Sequence, residues 1–332
     1  MKTRRLTIDA NFYKKYGILL VLVVMWAIMF CVSPTFRSLN NVINIFRQVS
    51  IKGIIAVGMT FVILICGIDL TVGSQVAVAG VFTGSILVAF PGNDTMVVVA
   101  CLAGILVCGL LGLVNGLFIA HAKVPPFIAT IAAMTIARGI AYVYSNGQPY
   151  TLPPSMFRDI GQGYTPIIIF VVICVVFHLI LSKTKFGRYI YAVGGNDKAA
   201  AASGVKVKPL IVKVYVISGI LSGIAGLILT ARTNSGQPAV GTGYEIDVIA
   251  AVVIGGTSMT GGIGTIYGTF IGMIIIGTLE NGMNLIGVSS YWQQIIKGSI
   301  ILITVVLDTY ARERFQTTVK NTILQEERTV TK

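Results

Sequence analysis

About ten apolar runs, most of them near the length of a bilayer span, divide this chain and leave it few folds. They run roughly Gly17–Ser33, Ser50–Cys66, Val72–Phe90, Thr95–Ala120, Phe127–Tyr144, Pro166–Leu181, Leu210–Ala231, Ile246–Gly261, Thr265–Asn281 and Tyr291–Leu307. A helical span needs about 20 predominantly apolar residues. Composition agrees: 11% of the 332 residues are charged, against about 25% in a soluble domain. The expected fold class is an all-α integral membrane protein of about ten transmembrane helices. Several runs are short, and glycine interrupts two of them, so some helices are expected to be broken.

Charge placement orients the chain. The net charge is +13, which would suit a nucleic-acid surface if it were spread over one face. Instead it clusters beside apolar runs, at Lys2, Arg4, Arg5, Lys14 and Lys15, at Lys183 through Lys213, and at Arg312 through Lys332. That is the pattern of cytoplasmic loops, and no nucleic-acid partner is expected. Both termini then lie in the cytoplasm. The expected division is a cytoplasmic tail 1–16, one transmembrane domain 17–309 and a cytoplasmic tail 310–332. Arg37, Arg47 and Lys52 are exceptions, falling on the expected outer side. The five cysteines sit within apolar runs without metal or redox spacing and read as small buried hydrophobes. The N-terminal run lacks a small-residue cleavage site and reads as a retained first span. The chain carries no GxxxxGK[ST] phosphate loop, so any ATP must be bound by another chain.

The polar stretch Gly187–Lys208, GRYIYAVGGNDKAAAASGVKVK, is an island between apolar runs. Asn196 suits a helix N-cap. Asp197 complements the dipole of the first turn, and the alanines that follow are the best helix formers. Gly204 can take the left-handed conformation that stops a helix. The expected product is a helix of about two turns, roughly 10 Å long, on the cytoplasmic face. Its residues alone fit either a plain surface loop or a small, smooth element seated in a partner's groove.

Several long blocks resemble one family in order. GRYIYAVGGNDKAAAASGVKVKPLIVKVYVISGILSGIAG is similar to the cytoplasmic coupling region of sugar-importing ABC permeases of the ribose/galactose/autoinducer-2 type. IIAVGMTFVILICGIDLTVGS (Ile54–Ser74) and YEIDVIAAVVIGGTSMTGGIGTIYGTFIG (Tyr244–Gly272) resemble its early and late signatures. ENGMNLIGVSSYWQQIIKGSIILI (Glu280–Ile303) resembles the end of its ribose-transporting members. The resemblance covers about Ser33 to Leu307. It implies a permease subunit in a bacterial inner membrane, a homodimer, with ABC ATPase subunits on the cytoplasmic side and a periplasmic or lipid-anchored sugar-binding protein outside. It implies no cofactor of its own, ATP being used by the partner, and no covalent chemistry. It carries the ATPase-coupling role to Gly194, Gly195, Asn196, Asp197, Ala199, Ala200 and Gly204. The sugar implied is ribose or a similar pentose. The tail Arg312–Lys332 matches nothing in the family.

ICGIDLTVG (Ile65–Gly73) and IGGTSMTGG (Ile254–Gly262) resemble each other, as an internal repeat or as a glycine-rich coincidence. Either way they permit broken helices, which membranes tolerate only inside protein or beside a water-filled cavity. Asp69, within the first, is costly in a bilayer by about 2.5–3.5 kcal/mol on insertion scales. It reads either as an N-cap for a helix starting near Val72 or as part of a gate or translocation pathway. Glu280, Asn281 and Asn284, with Trp292 and Gln293, offer the amides, carboxylate and aromatic face that sugars use. They fit equally the polar end of a span beside an interfacial aromatic belt. Asn115 is a further pathway candidate, although it and Arg138 also suit interhelical hydrogen bonds or charge pairing. Glu245 and Asp247 could meet a docking protein or serve as first-turn acids. A metal or proton-relay role does not fit the isolated His121 and His178.

The function expected is therefore the transmembrane permease subunit of an ABC sugar importer. A stand-alone secondary sugar transporter or facilitator is the alternative, and the lack of carboxylate–histidine relays argues against proton coupling. A membrane scaffold is a third class, disfavoured by the broken spans.

Overall fold

The computed structural model describes residues 2–303 and 305–306, with side chains from Gly17 onward. The tail 310–332 lies outside the described residues. The elements in order are α1 (Lys2–Val32), α2 (Leu39–Leu64), α3 (Val72–Ala89), α4 (Asp94–Ala120), α5 (Pro126–Tyr144), α6 (Thr165–Lys183), α7 (Lys185–Gly195), α8 (Asp197–Ala202), α9 (Val207–Thr233), α10 (Tyr244–Ile254) and α11 (Ile266–Leu285). The chain forms two compact units, Met1–Gly287 and Val288–Lys332. The described part of the second holds a helix over 290–303.

The protein is all-α, as its hydropathy requires. Among the described residues, seven helices are long and apolar enough to cross a membrane, and a shorter apolar segment, Gly17–Val32, forms the second half of α1. Helix α2 starts at Leu39, not near Ser50, so Arg47 and Lys52 lie within it. The run Ile246–Gly261 is not one helix. It holds the 11-residue α10, roughly 16 Å long at 1.5 Å per residue, followed by a loop.

Helices α2 and α9 are the centre of the first unit. Helix α9 packs along α2, α3 and α4. Its contact with α4 depends on glycine: a side chain on Gly112 would overlap the Tyr215 carbonyl, and one on Gly219 the Cys108 carbonyl. Small residues at such crossings let backbones approach where lipid supplies no hydrophobic drive. The outward rows of α4 (Leu102, Leu106, Leu110, Phe118) and α6 (Ile168, Val172, Val175, Leu179) are exposed and apolar, as lipid-facing surfaces must be. At one end of the bundle, Tyr150–Thr151 (β1) pairs antiparallel with Ser235–Gly236 (β2).

Candidate coupling joint and polar interior

The segment joining α6 to α9 folds from local signals. Thr184 caps α7 by accepting from Gly187 N, and Asn196 caps α8 by accepting from Ala199 N at 2.9 Å. At its other end Gly204 takes φ +87°. Val205 N bonds Ala200 O and Gly204 N bonds Ala201 O, closing α8 as a Schellman motif. Asn196, Asp197, Ala199, Gly195 and Gly204 are exposed, while Ala200 and Gly194 are buried. The coupling candidates thus form one continuous surface element rooted at Gly194.

That root is a backbone joint. Gly194 lies against the end of α2, where a β-carbon would overlap the Leu64 carbonyl oxygen. The same oxygen accepts from Gly262 N at 2.9 Å, and Gly261 and Gly262 hold φ of +80° and +70°. The Cys66 thiol donates to Thr260 O at 2.9 Å and to Gly194 O at 3.6 Å. Tyr191 Oη donates to Gly264 O at 2.7 Å, and burial raises the pKa of that phenol, holding it as the donor. Both glycine-rich loops therefore meet α7.

The two loops also begin alike. Gly67 N bonds Val62 O and Cys66 N bonds Ile63 O; Thr257 N bonds Val252 O and Gly256 N bonds Val253 O. Each helix thus ends in a Schellman motif, with Cys66 (φ +60°) corresponding to Gly256 (φ +85°). The correspondence is offset by one residue from the sequence match, which aligned Cys66 with Gly255.

Asp69 sits fully buried between α2 and α3. It is not the N-cap of α3; Thr71 holds that place without a capping side-chain bond. Asp69 Oδ1 accepts from Thr71 N at 3.0 Å and from the Thr71 hydroxyl, and Oδ2 accepts from Ser218 Oγ at 2.7 Å. Asn115 Nδ2 donates to Thr71 Oγ1 at 3.2 Å. The structure thus brings Asp69 and Asn115 together through Thr71. Ser218, the hydroxyl that completes the site, gave no sequence signal, being one small residue among many in α9.

A second polar centre joins α2, α10 and α11. After α9 the chain turns back into the bundle. Gly236 packs on Gly80 and Gly241 on Gly73. Arg138 Nη1 donates to Pro238 O at 2.6 Å and Val240 O at 2.7 Å, supplying partners that irregular backbone at membrane depth needs. The segment between α9 and α10 is therefore packed on α3 and tied to α5, and Asp247 in the first turn of α10 is buried. There Lys52 Nζ meets Asp247 Oδ2 at 2.6 Å and Glu280 Oε1 at 2.8 Å, all three side chains being 15% exposed or less. Asp247 is thus buried, not displayed to a docking protein, and Lys52 is no exception to the charge rule because its charge is neutralised internally.

The remaining candidates separate. Asn281 exchanges two hydrogen bonds of 3.0 Å with Asn41. Asn284 is exposed at the end of α11. Trp292 and Gln293 belong to the second unit, where Trp292 is exposed and Gln293 donates to Val288 O at 2.9 Å. Among the described residues no cluster of metal-ligating side chains occurs.

A family described as the permease component of branched-chain amino acid transport systems matches residues 41–305. The chain belongs to this permease family. The ribose import permease protein of Bacillus subtilis (strain 168) is 47% identical to it over 302 residues, 89% of this chain and 92% of the relative. The corresponding Escherichia coli (strain K12) protein is 44% identical, over 87% of this chain and 92% of the relative. An L-arabinose ABC transporter permease of Azospirillum brasilense is 37% identical, over 90% and 88%. No solved structure matches. The permease is thus a multi-pass membrane protein whose glycine loops and α7–α8 segment all lie within the family match.

Proposed function

We propose that this permease is the transmembrane subunit of an ATP-driven importer that carries ribose into the cytoplasm. The observation that carries the reading is the 44–47% identity to ribose import permeases over about nine tenths of the chain. Arabinose, galactose and allose permeases stand lower, at 37–39%. The subunit is not an enzyme; a separate ATPase hydrolyses the nucleotide. In this reading the α7–α8 segment and both termini face the cytoplasm of a bacterial inner membrane, and residues 17–309 form the membrane domain between two tails. Two copies form the pathway, and a sugar-binding protein delivers ribose from outside.

Exposed Asn196, Asp197 and Ala199 on α8 meet the ATPase, while buried Ala200 and Gly194 hold that surface to the bundle. Closure of the ATPase pair pushes α8, and the spans rock about the joint to alternate access. Asp69, Asn115, Glu280, Asn281 and Asn284, in the first unit, support the broken helices that border the path; Trp292 and Gln293, in the second unit, are separate candidates for contact with the sugar. Supporting this division, Asp69, Asn115 and Asn281 are buried with partners inside the fold. Replacing Asp197 by Arg together with Ala200 by Trp is expected to abolish ATPase co-purification while the permease still inserts. Normal co-purification with that variant would remove α8 from the contact.

A further inference from the structure

The joint beneath α7 has geometry that attachment of an ATPase does not require. We propose that Gly194 and Tyr191 are positioning residues that lock α7 to both glycine-broken loops at once, and so set how much sugar moves per ATP hydrolysed. The inference rests on the ATP-driven permease reading above and deepens it.

Three anchors converge on eleven-residue α7. Gly194 rests on the Leu64 carbonyl, the last residue of α2, which in turn bonds Gly262 in the loop after α10. Cys66, opening the loop after α2, bonds both Gly194 O and Thr260 O. Tyr191 bonds Gly264 O, just before α11. Two of these contacts are backbone to backbone. Such contacts have no rotamer to absorb displacement, and tightly packed groups shift between discrete arrangements instead of deforming. A push on α7 therefore reaches α2, α10 and α11 together.

Those three helices are tied again farther along. Thr60 on α2 bonds Thr269 on α11 at 2.7 Å, and Lys52 on α2 holds Asp247 on α10 and Glu280 on α11. Relative sliding among them would break these links, whereas a common rotation keeps them. By contrast, among the described residues the side-chain hydrogen bonds of the exposed tip of α8 are local, Asn196 Oδ1 accepting from Ala199 N and Asp197 Oδ1 from Lys198 N. Contact with the partner and transmission into the bundle thus reside in different residues. Tyr191 lies outside the exposed tip, so it can be altered without changing the surface offered to the ATPase, whereas Gly194 also seats that surface on the bundle.

The test is the permease complex with its ATPase and sugar-binding protein in proteoliposomes, with ribose uptake and ATP hydrolysis measured in the same vesicles. Gly194→Ala forces the joint apart and is expected to lower uptake per ATP by about tenfold, within the range for substitutions that alter coupling between sites. Tyr191→Phe deletes one hydrogen bond without adding volume, so it keeps the fold, and is expected to lower the same ratio by about threefold, the effect of one modest hydrogen bond. ATPase co-purification should equal wild type in Tyr191→Phe, which leaves α8 and its seat on the bundle intact. Gly139→Ala, with open space around the position, should leave the ratio unchanged. A wild-type ratio in Tyr191→Phe and Gly194→Ala would overturn the inference, as would loss of ATPase co-purification in Tyr191→Phe, which would place that residue in attachment. A wild-type complex without ATP-dependent uptake would defeat the permease reading itself, and this inference with it.

Discussion

Lys52 shows how one side chain can hold a membrane protein's interior together. Its ammonium faces two carboxylates, Asp247 and Glu280, on different helices. A buried pair of this kind adds little over an apolar replacement of the whole cluster, but removing one partner strands the other. Lys52→Met leaves two carboxylates facing each other and is expected to cost about 3–5 kcal/mol of stability. Adding Asp247→Asn and Glu280→Gln should restore part of that loss. Thermal unfolding of the purified proteins in detergent checks both, and a neutral single variant would show the triad to be dispensable. Lys52 looked like an error of topology in the sequence because pairing across 195 and 228 residues leaves no local trace. Asp69 was conspicuous for its charge, yet its partners, Thr71 and Ser218, place it at a loop interior where a capping role does not apply.

Among the elements, those governed by neighbours in sequence were readable. Asn196 and Gly204 bound α8 as their chemistry requires, since caps act within a turn. The start of α4 follows from Asn93, whose side chain accepts from Met96 N, and that of α5 from Pro126 at its first position. The start of α2 was misread because Asn41, Asn44, Arg47 and Gln48 resemble a loop. Partners make those polar groups acceptable: Asn281 for Asn41, Arg232 for Asn44, and Gly163 O for Arg47. The packing of the segment before α10 leaves no local trace for the same reason, its carbonyls being served by Arg138 about a hundred residues earlier. Arg138→Met removes both donors and leaves two carbonyls in an interior where each orphaned group costs about 1–3 kcal/mol. Faster amide hydrogen exchange over residues 236–243 is expected, together with reduced ribose uptake. Exchange at the wild-type rate would mean that Arg138 does not hold the segment.

At the scale of the whole molecule, the two glycine-rich loops and α7 form one joint. The loops after α2 and α10 end their helices in the same way, and α7 touches both. A lone facilitator has no need of a capped, exposed two-turn helix mounted on that joint, and the sequence carries no GxxxxGK[ST] phosphate loop. In the proposed reading, energy enters through another subunit at α8. Reconstitution measures this most directly. Ribose uptake into proteoliposomes is compared for the permease alone and for the permease with its ATPase and sugar-binding protein. Uptake that needs both partners and ATP is the expected result; uptake by the lone permease at the full rate would contradict it.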